Sequence, residues 1–234
     1  MLFLKKRQNH NITNCQSSTK IVLSTKMKEI YIIRHGETEL NKLGIVQGRG
    51  INSDLNETGR QQANAFFKRY QQVEFDAIYT SSLKRTHQTA QGFIDLGLTW
   101  EQHKGLDELA WGVWEGKPNT EAARHAFREM MEQWQGGNYE ARFEQGESPN
   151  EVLARLQETI ALIKSRVNEQ RILICMHGRA MRLLLCHLLE KPLAEMGDFP
   201  HQNTTLYKLT FDGQRFTIVD FNNTEHLKDL EISE

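Results

Sequence analysis

The chain reads as an α/β protein, a three-layer α/β/α sandwich with a mostly parallel central sheet. Short apolar runs alternate along it with segments of helical period, the pattern of strands joined by crossover helices. Two of the runs, Ile30-Tyr31-Ile32-Ile33 and Ile172-Leu173-Ile174-Cys175, are continuously apolar, as strands buried on both faces are. A length of 234 residues with 38% hydrophobic residues suffices for one such core and requires no second domain.

Residues 1–26 read differently from the rest. They hold no acidic residue, carry Lys5, Lys6, Arg7, Lys20 and Lys26, and are rich in Asn, Ser and Thr. Met1-Leu2-Phe3-Leu4 is too short for a signal-peptide core and precedes the charges. Met27 stands directly before the first strand, so we read 1–26 as a disordered extension or the product of an upstream start. A targeting presequence is the alternative, weakened by the single arginine. Residues 27–234 are expected to form one domain.

The strand 28–33 runs into Arg34-His35-Gly36-Glu37-Thr38 and a polar loop with Gly44, Gly48 and Gly50. Asn56 caps a helix whose Ala63, Phe66, Phe67 and Tyr70 fall on one face. Phe75 to Thr80 is the next buried strand, and Ser82 is expected to cap a helix over 83–93, with Arg85 in its first turn. A helix over 119–135 places Ala123, Phe127, Met130 and Trp134 on one stripe and breaks at Gly136-Gly137. Ser148-Pro149-Asn150-Glu151 spells a helix start: cap, first-position proline, and a glutamate reaching back. Leu153, Leu156, Ile160, Ile163 and Val167 continue that helix toward the strand 171–176. Another helix follows His177, with Leu183 to Leu189 on its buried side. The runs 204–211 and 215–221 join at Asp212-Gly213 as a hairpin, which makes the last strand or two antiparallel.

A net charge of −1 supplies no global basic field, so the reading expects neither nucleic acid nor a membrane as partner. No stretch approaches the length of a membrane span. Cys15, Cys175 and Cys186 are odd in number and show no metal-ligand spacing, which fits a reducing, cytoplasmic setting. A homo-oligomer is left open.

His35 and His177 each close an apolar strand and precede a glycine, which permits a sharp turn and close approach of a ligand. In an open α/β sheet the crevice beyond the carboxyl ends of the strands receives ligands, so the two histidines meet there if their strands are neighbours. Either His-Gly alone reads better as a satisfied turn residue. The wider context is Arg34 to Thr38 with Asn41, Leu55-Asn56 to Gly59 with Gln62-Ala63, and Ser81-Ser82-Leu83 with Arg85 and Thr89-Ala90. Glu108 with Gly112 and Glu115-Gly116, then His177-Gly178, complete it. Across residues 28–186 these segments resemble, in order, the histidine phosphatase superfamily, whose fold is phosphoglycerate mutase-like. Glu37-Thr38-Glu39 after the first glycine resembles the mutase-like branch and not the acid phosphatases.

The resemblance implies that His35 is the phosphoryl acceptor, with its other ring nitrogen donating to a backbone carbonyl to fix the tautomer. Arg34 and Arg85 offer planar donors that stay charged and match phosphate oxygens. His177 is expected to stabilise the transferred group, with Asn41 and Gln47 as further phosphate contacts. The resemblance makes Glu108 the proton donor to the leaving oxygen, with Asp107 and Glu115 as rivals. Apolar Leu109 and Trp111 would desolvate the carboxyl and favour its protonated form. Trp114 is expected in the core, Trp111 along the substrate pocket, and residues 109–147 as a cap. His10, His87, His103, His125, His187, His201 and His226 fit no ligand spacing. On residue types His35, His177 and Glu108 also spell a metal site, but the arginines would repel a cation, so no metal and no cofactor are expected.

The implied function is a metal-independent phosphomonoesterase acting on a small phosphate ester through phosphohistidine. A cofactor-dependent phosphoglycerate mutase is the first alternative, disfavoured because no two arginines are adjacent and the segment after Glu108 passes quickly into the 119–135 helix. A catalytically silent phosphate-binding protein is the second, and it would need no acid.

Overall fold

The computed structural model describes residues 27–228 and Leu230, so the expectations for residues 1–26 lie outside the described residues. Its strands are β1 (Lys28–Arg34), β2 (Ala77–Thr80), β3 (Thr99–Gln102), β4 (Arg171–Met176), β5 (Leu206–Phe211) and β6 (Phe216–Asn223). They form one sheet in the order β3-β2-β4-β1-β5-β6. The ladders β1–β4, β4–β2 and β2–β3 are parallel, whereas β5 runs antiparallel to both β1 and β6. The hairpin turns at Asp212, whose Oδ1 accepts from the backbone N–H groups of Gln214 and Arg215, and Gly213 takes φ 101°.

Alternate residues of the central strands point into two separate cores, which is what makes three layers. Ile30, Ile32, Ile172, Ile174 and Tyr79 face α5 (Pro149–Ser165) and α6 (Gly178–Leu188). Tyr31, Ile33, Leu173, Cys175 and Ile78 face α2 (Glu57–Tyr70) and α3 (Lys84–Ile94). Each fully buried side chain of this kind contributes roughly 1.5–3 kcal/mol. The expected caps form: Asn56 Oδ1 accepts from Gly59 N–H at 2.8 Å, and Ser148 and Glu151 build a reciprocal capping box ahead of Pro149. Such a cap contributes about 1 kcal/mol. The helix α4 (Glu121–Gln135) follows its cap residue Thr120 and buries Ala123, Met130 and Trp134, with Phe127 partly buried.

Four local expectations change. Ser82 does not cap α3; its hydroxyl donates to Asp107 at 2.8 Å, and Leu83 takes the cap position with no side-chain bond. β2 begins at Ala77, leaving Phe75 buried but outside the ladder. Val167 lies beyond the end of α5 and is 74% exposed, while Val152 fills the core instead. Finally, β3 was not expected. It is a short polar edge strand, tied to β2 by its ladder and by Trp100 Nε1 donating to Thr80 Oγ1 at 3.0 Å.

Candidate active site

Parallel pairing of β1 with β4 aligns Arg34 with Met176, so His35 and His177 emerge side by side from adjacent strands. His35 N–H donates to Met176 O at 3.0 Å, and the imidazole centroids lie 5.1 Å apart. β2 flanks β4 on its other side, which brings Ser81 and the start of α3 to the same edge. Arg34, His35, Arg85 and His177 thus meet because three parallel strands end together.

The glycines after the histidines serve close approach of the chain to itself, and neither has positive φ. A Cβ on Gly36 would stand 2.6 Å from Gly59 O, and one on Gly59 2.0 Å from Glu37 O, so the two backbones touch where α2 meets the His35 turn. A Cβ on Gly178 would stand 2.3 Å from His201 Cδ2.

His35 Nδ1 lies 2.7 Å from Gly36 O. A carbonyl only accepts, so Nδ1 carries the proton and Nε2 keeps its lone pair. His35 is buried, 3% exposed. Burial above all, then the charges of Arg85 and Arg34, holds its pKa well below the ordinary histidine value, so the imidazole is neutral at physiological pH. His177 is fully buried and lowered in the same way, by burial first and then by Arg85, His35 and Arg34. Its Nδ1 accepts from Arg85 Nε at 3.2 Å, which puts the proton on Nε2, 2.7 Å from Ser81 Oγ. Ser81 Oγ in turn accepts from Leu83 N–H at 3.1 Å and lies 3.0 Å from Thr86 Oγ1.

Arg85 is completely buried, and burial brings its guanidinium down to about 10. Its Nη1 donates to Ile51 O at 2.7 Å and its Nη2 to Gly48 O at 3.3 Å, so it pins the glycine-rich loop. Arg34 Nη1 donates to His201 O at 2.6 Å, and its Nε is buried without a partner. Asn41 ends a reciprocal cap with Thr38, opening the short helix α1 (Glu39–Lys42), and its Oδ1 accepts from Thr38 N–H at 3.2 Å. Its amide Nδ2 remains to donate. Gln47 Nε2 donates to Thr38 Oγ1 at 2.6 Å and its Oε1 accepts from Ser53 Oγ at 2.5 Å, so one amide hydrogen remains.

Glu108 is buried at the start of α6. Its Oε1 accepts from Leu109 N–H and Ala180 N–H, each at 2.9 Å, and its Oε2 from Arg179 N–H at 3.0 Å. The apolar wall expected from Leu109 and Trp111 is therefore only part of its surroundings; two backbone donors at the start of α6 and the N–H of Leu109 complete them. Asp107 is committed to Ser82, from both its N–H and its hydroxyl. Glu115 lies against the Gly48–Gly50 turn and accepts from Trp111 N–H at 2.9 Å; burial raises its pKa.

Sequence reasoning gave no role to Ser81, which it quoted only within a motif, or to His201, and it missed Arg155 and Glu147. Arg155 donates from Nη1 to Gly105 O and Asp107 O at 2.8 Å and from Nη2 to Glu108 O at 3.0 Å, while pairing with Glu147 at 2.9 Å. Glu147 also accepts from Ala110 N–H and Arg49. This pair fixes the backbone that carries Glu108 and closes the base of segment 109–147, where Trp111 bridges to Gly146. No local signal marks such a long-range grip. The two tryptophans exchange places: Trp111 is buried against Trp134, and Trp114 is only partly covered, by Phe127 and Phe143. Among the described residues no group of three or more His, Cys, Asp or Glu side chains is arranged to hold a metal ion, and no helix is long and apolar enough to cross a membrane.

Residues 30–224 match the family model of the histidine phosphatase superfamily, branch 1. The mouse protein 6-phosphofructo-2-kinase/fructose-2,6-bisphosphatase 1 is 35% identical over 185 residues, 78% of this chain but only 37% of that protein. A putative phosphoserine phosphatase 2 from Hydrogenobacter thermophilus is 28% identical over 205 residues, covering 87% of this chain and all of the relative. Among solved structures, Bacillus stearothermophilus YhfR superposes with a TM-score of 0.76 at 29% identity, over 86% of this chain and all of that one.

Proposed function

The chain belongs to the histidine phosphatase superfamily, branch 1, and from that premise we propose that it hydrolyses a small phosphate monoester through a covalent phosphohistidine on His35, without a metal ion. The observation that carries this is the His35 imidazole. Its tautomer leaves Nε2 unprotonated, and burial between Arg34 and Arg85 keeps it so. Nε2 attacks phosphorus, and the bond to the ester oxygen breaks with its electron pair going to that oxygen. Glu108 supplies the proton to the departing alkoxide. Arg34, Arg85, Asn41 and Gln47 donate to the phosphoryl oxygens, and the positive groups offset their charge as a metal would elsewhere. For His177 to donate to a phosphoryl oxygen from Nδ1, it must release Arg85 Nε and take up a proton there. The dianion brings the negative charge that favours this uptake. In the second half Glu108 takes a proton from water, water attacks phosphorus, and the P–N bond breaks with its pair returning to Nε2.

The relatives' names cover a phosphoamino acid and a sugar bisphosphate, so they leave the alcohol open. A cytoplasmic setting belongs to the same proposal, resting on the unpaired thiols of Cys175 and Cys186. The test is a turnover screen of phosphate monoesters, with and without EDTA and with and without a bisphosphoglycerate. Turnover that persists in EDTA, is inhibited by vanadate and needs no bisphosphoglycerate is the expected result. Activity lost in EDTA and restored by a divalent ion would overturn the metal-free mechanism, and phosphoryl transfer to a second alcohol in place of water would make the protein a mutase.

A further inference from the structure

Arg179 stands in the first turn of α6, bonded through its backbone N–H to Glu108, yet its side chain has no part in the chemistry above. Its guanidinium carbon lies 5.6 Å from the Trp111 ring centroid and 5.7 Å from that of Trp134. The two indoles stack at 5.9 Å and form a shelf that holds the cation through its face, leaving its in-plane donors free. One of those donors meets only the thioether of Met196 at 3.4 Å, a weak acceptor, and Nε is buried with no partner.

No described carboxylate pairs with Arg179, Arg182 or Arg34. The three guanidinium groups nevertheless converge on one residue. Burial and then their charges push the His201 imidazole down to about 3, and Arg34 is bonded to the carbonyl of the same residue. Burial, followed by Arg182, brings the Arg179 guanidinium to about 10, so it is charged at neutral pH. Glu108 acts on it through space but forms no ion pair with its side chain, and a partly buried cation on an apolar shelf without a direct partner is costly unless an anion arrives to pair with it.

Two cavities meet at this residue. One, of about 500 Å³, is lined by Arg179 with Arg124, Phe127, Arg128 and Glu132 of α4, three arginines against one carboxylate; the other, of about 140 Å³, by Arg179 with Arg182 and Met196. Glu108 gives its proton to the ester oxygen and accepts from the Arg179 backbone N–H, so a substrate group that reaches the Arg179 side chain belongs to the alcohol half. We propose that Arg179, on its Trp111–Trp134 shelf, receives a second anionic group on that alcohol, so that the enzyme selects phosphate esters of acids over esters of neutral alcohols. The inference rests on the phosphatase reading and adds its substrate class. A carboxylate and a second phosphate present the same acceptor chemistry to a guanidinium.

The test measures kcat/KM on two carbon-matched pairs, 3-phosphoglycerate against glycerol 3-phosphate, and fructose 1,6-bisphosphate against fructose 1-phosphate. The wild type favours the acid member of at least one pair, and Arg179→Met lowers that acid-to-neutral ratio about 10- to 100-fold, the worth of a charge-assisted bond. Arg179→Lys, which keeps the charge but not the fork, retains part of the ratio. Discrimination confined to the first pair assigns a carboxylate, and confined to the second a phosphate. Turnover with no preference in either pair, or an Arg179→Met ratio equal to that of the wild type, overturns the inference while the phosphatase reading stands. No turnover of any ester by the wild type overturns both.

Discussion

Replacing Glu108 with glutamine separates the structural work of this side chain from its chemical work. The carboxyl accepts three backbone N–H bonds, two at Oε1 and one at Oε2. A glutamine that keeps its oxygen at the Oε1 position preserves the bonds from Leu109 and Ala180 and sets its NH2 group against the N–H of Arg179. One buried donor is then unpaired, a loss of about 1–3 kcal/mol of stability. For a chain of this size that lowers the melting temperature by about 2–12 °C. The chemical loss is larger and depends on the leaving group. General acid catalysis contributes roughly 10²–10⁴-fold, so phosphorylation by an alkyl phosphate slows by about that factor. A nitrophenolate departs unaided and retains most of its rate. Rapid-quench burst kinetics are the assay, because the same carboxylate activates water in the second half and steady-state rates mix the two steps. Equal losses in the burst for alkyl and aryl esters would remove Glu108 from the acid role.

Two further perturbations follow from the buried histidines. Ser81→Ala strips His177 Nε2–H of its partner at 2.7 Å, so it should cost about 1–3 kcal/mol in denaturant unfolding and lower kcat/KM as well; unchanged stability and unchanged kcat/KM would contradict the assigned network. His226, 4% exposed and paired with Thr204 Oγ1 at 3.0 Å, is lowered to about 4, chiefly by burial. Its folded pKa lies below the ordinary 6.5, so as pH falls the unfolded chain takes the proton first; stability is complete above 6.5 and is lost as pH falls toward 4. From pH 7.5 to 5 this residue alone removes about 2 kcal/mol. His226→Gln should flatten that part of the profile, and an equally steep profile in the variant would sink the assignment.

The parts of the molecule that were legible in the sequence are those specified locally. Ser148-Pro149-Asn150-Glu151 and Asn56 cap helices with their own neighbours, and the short, continuously apolar runs of β1 and β4, ended by His-Gly, read as buried strands. The backbone partner of His35 was expected from the resemblance alone, and the structure shows it to be the carbonyl of the next residue. What escaped was decided across the fold. Ser82 has the chemistry of a cap, but Asp107, 25 residues on, offers a charged acceptor and takes it. Thr99–Gln102 has neither alternation nor apolar content and is a strand only because β2 supplies a ladder. Sequence named His35 and His177 but could not say that β1 and β4 are neighbours. Arg155 and Glu147 look like ordinary surface charges until they are seen gripping the backbone under Glu108.

The central claim is that the phosphoryl group passes through His35 Nε2. It is tested most directly by mixing the protein with a ³²P-labelled monoester that it turns over, quenching in alkaline denaturant within the first turnovers, and mapping the labelled peptide. The account predicts label on the peptide containing His35, stable in alkali and lost in acid as a phosphoramidate is, and absent from His35→Ala, which also loses turnover. Label on a different residue, or full turnover by His35→Ala, would contradict it.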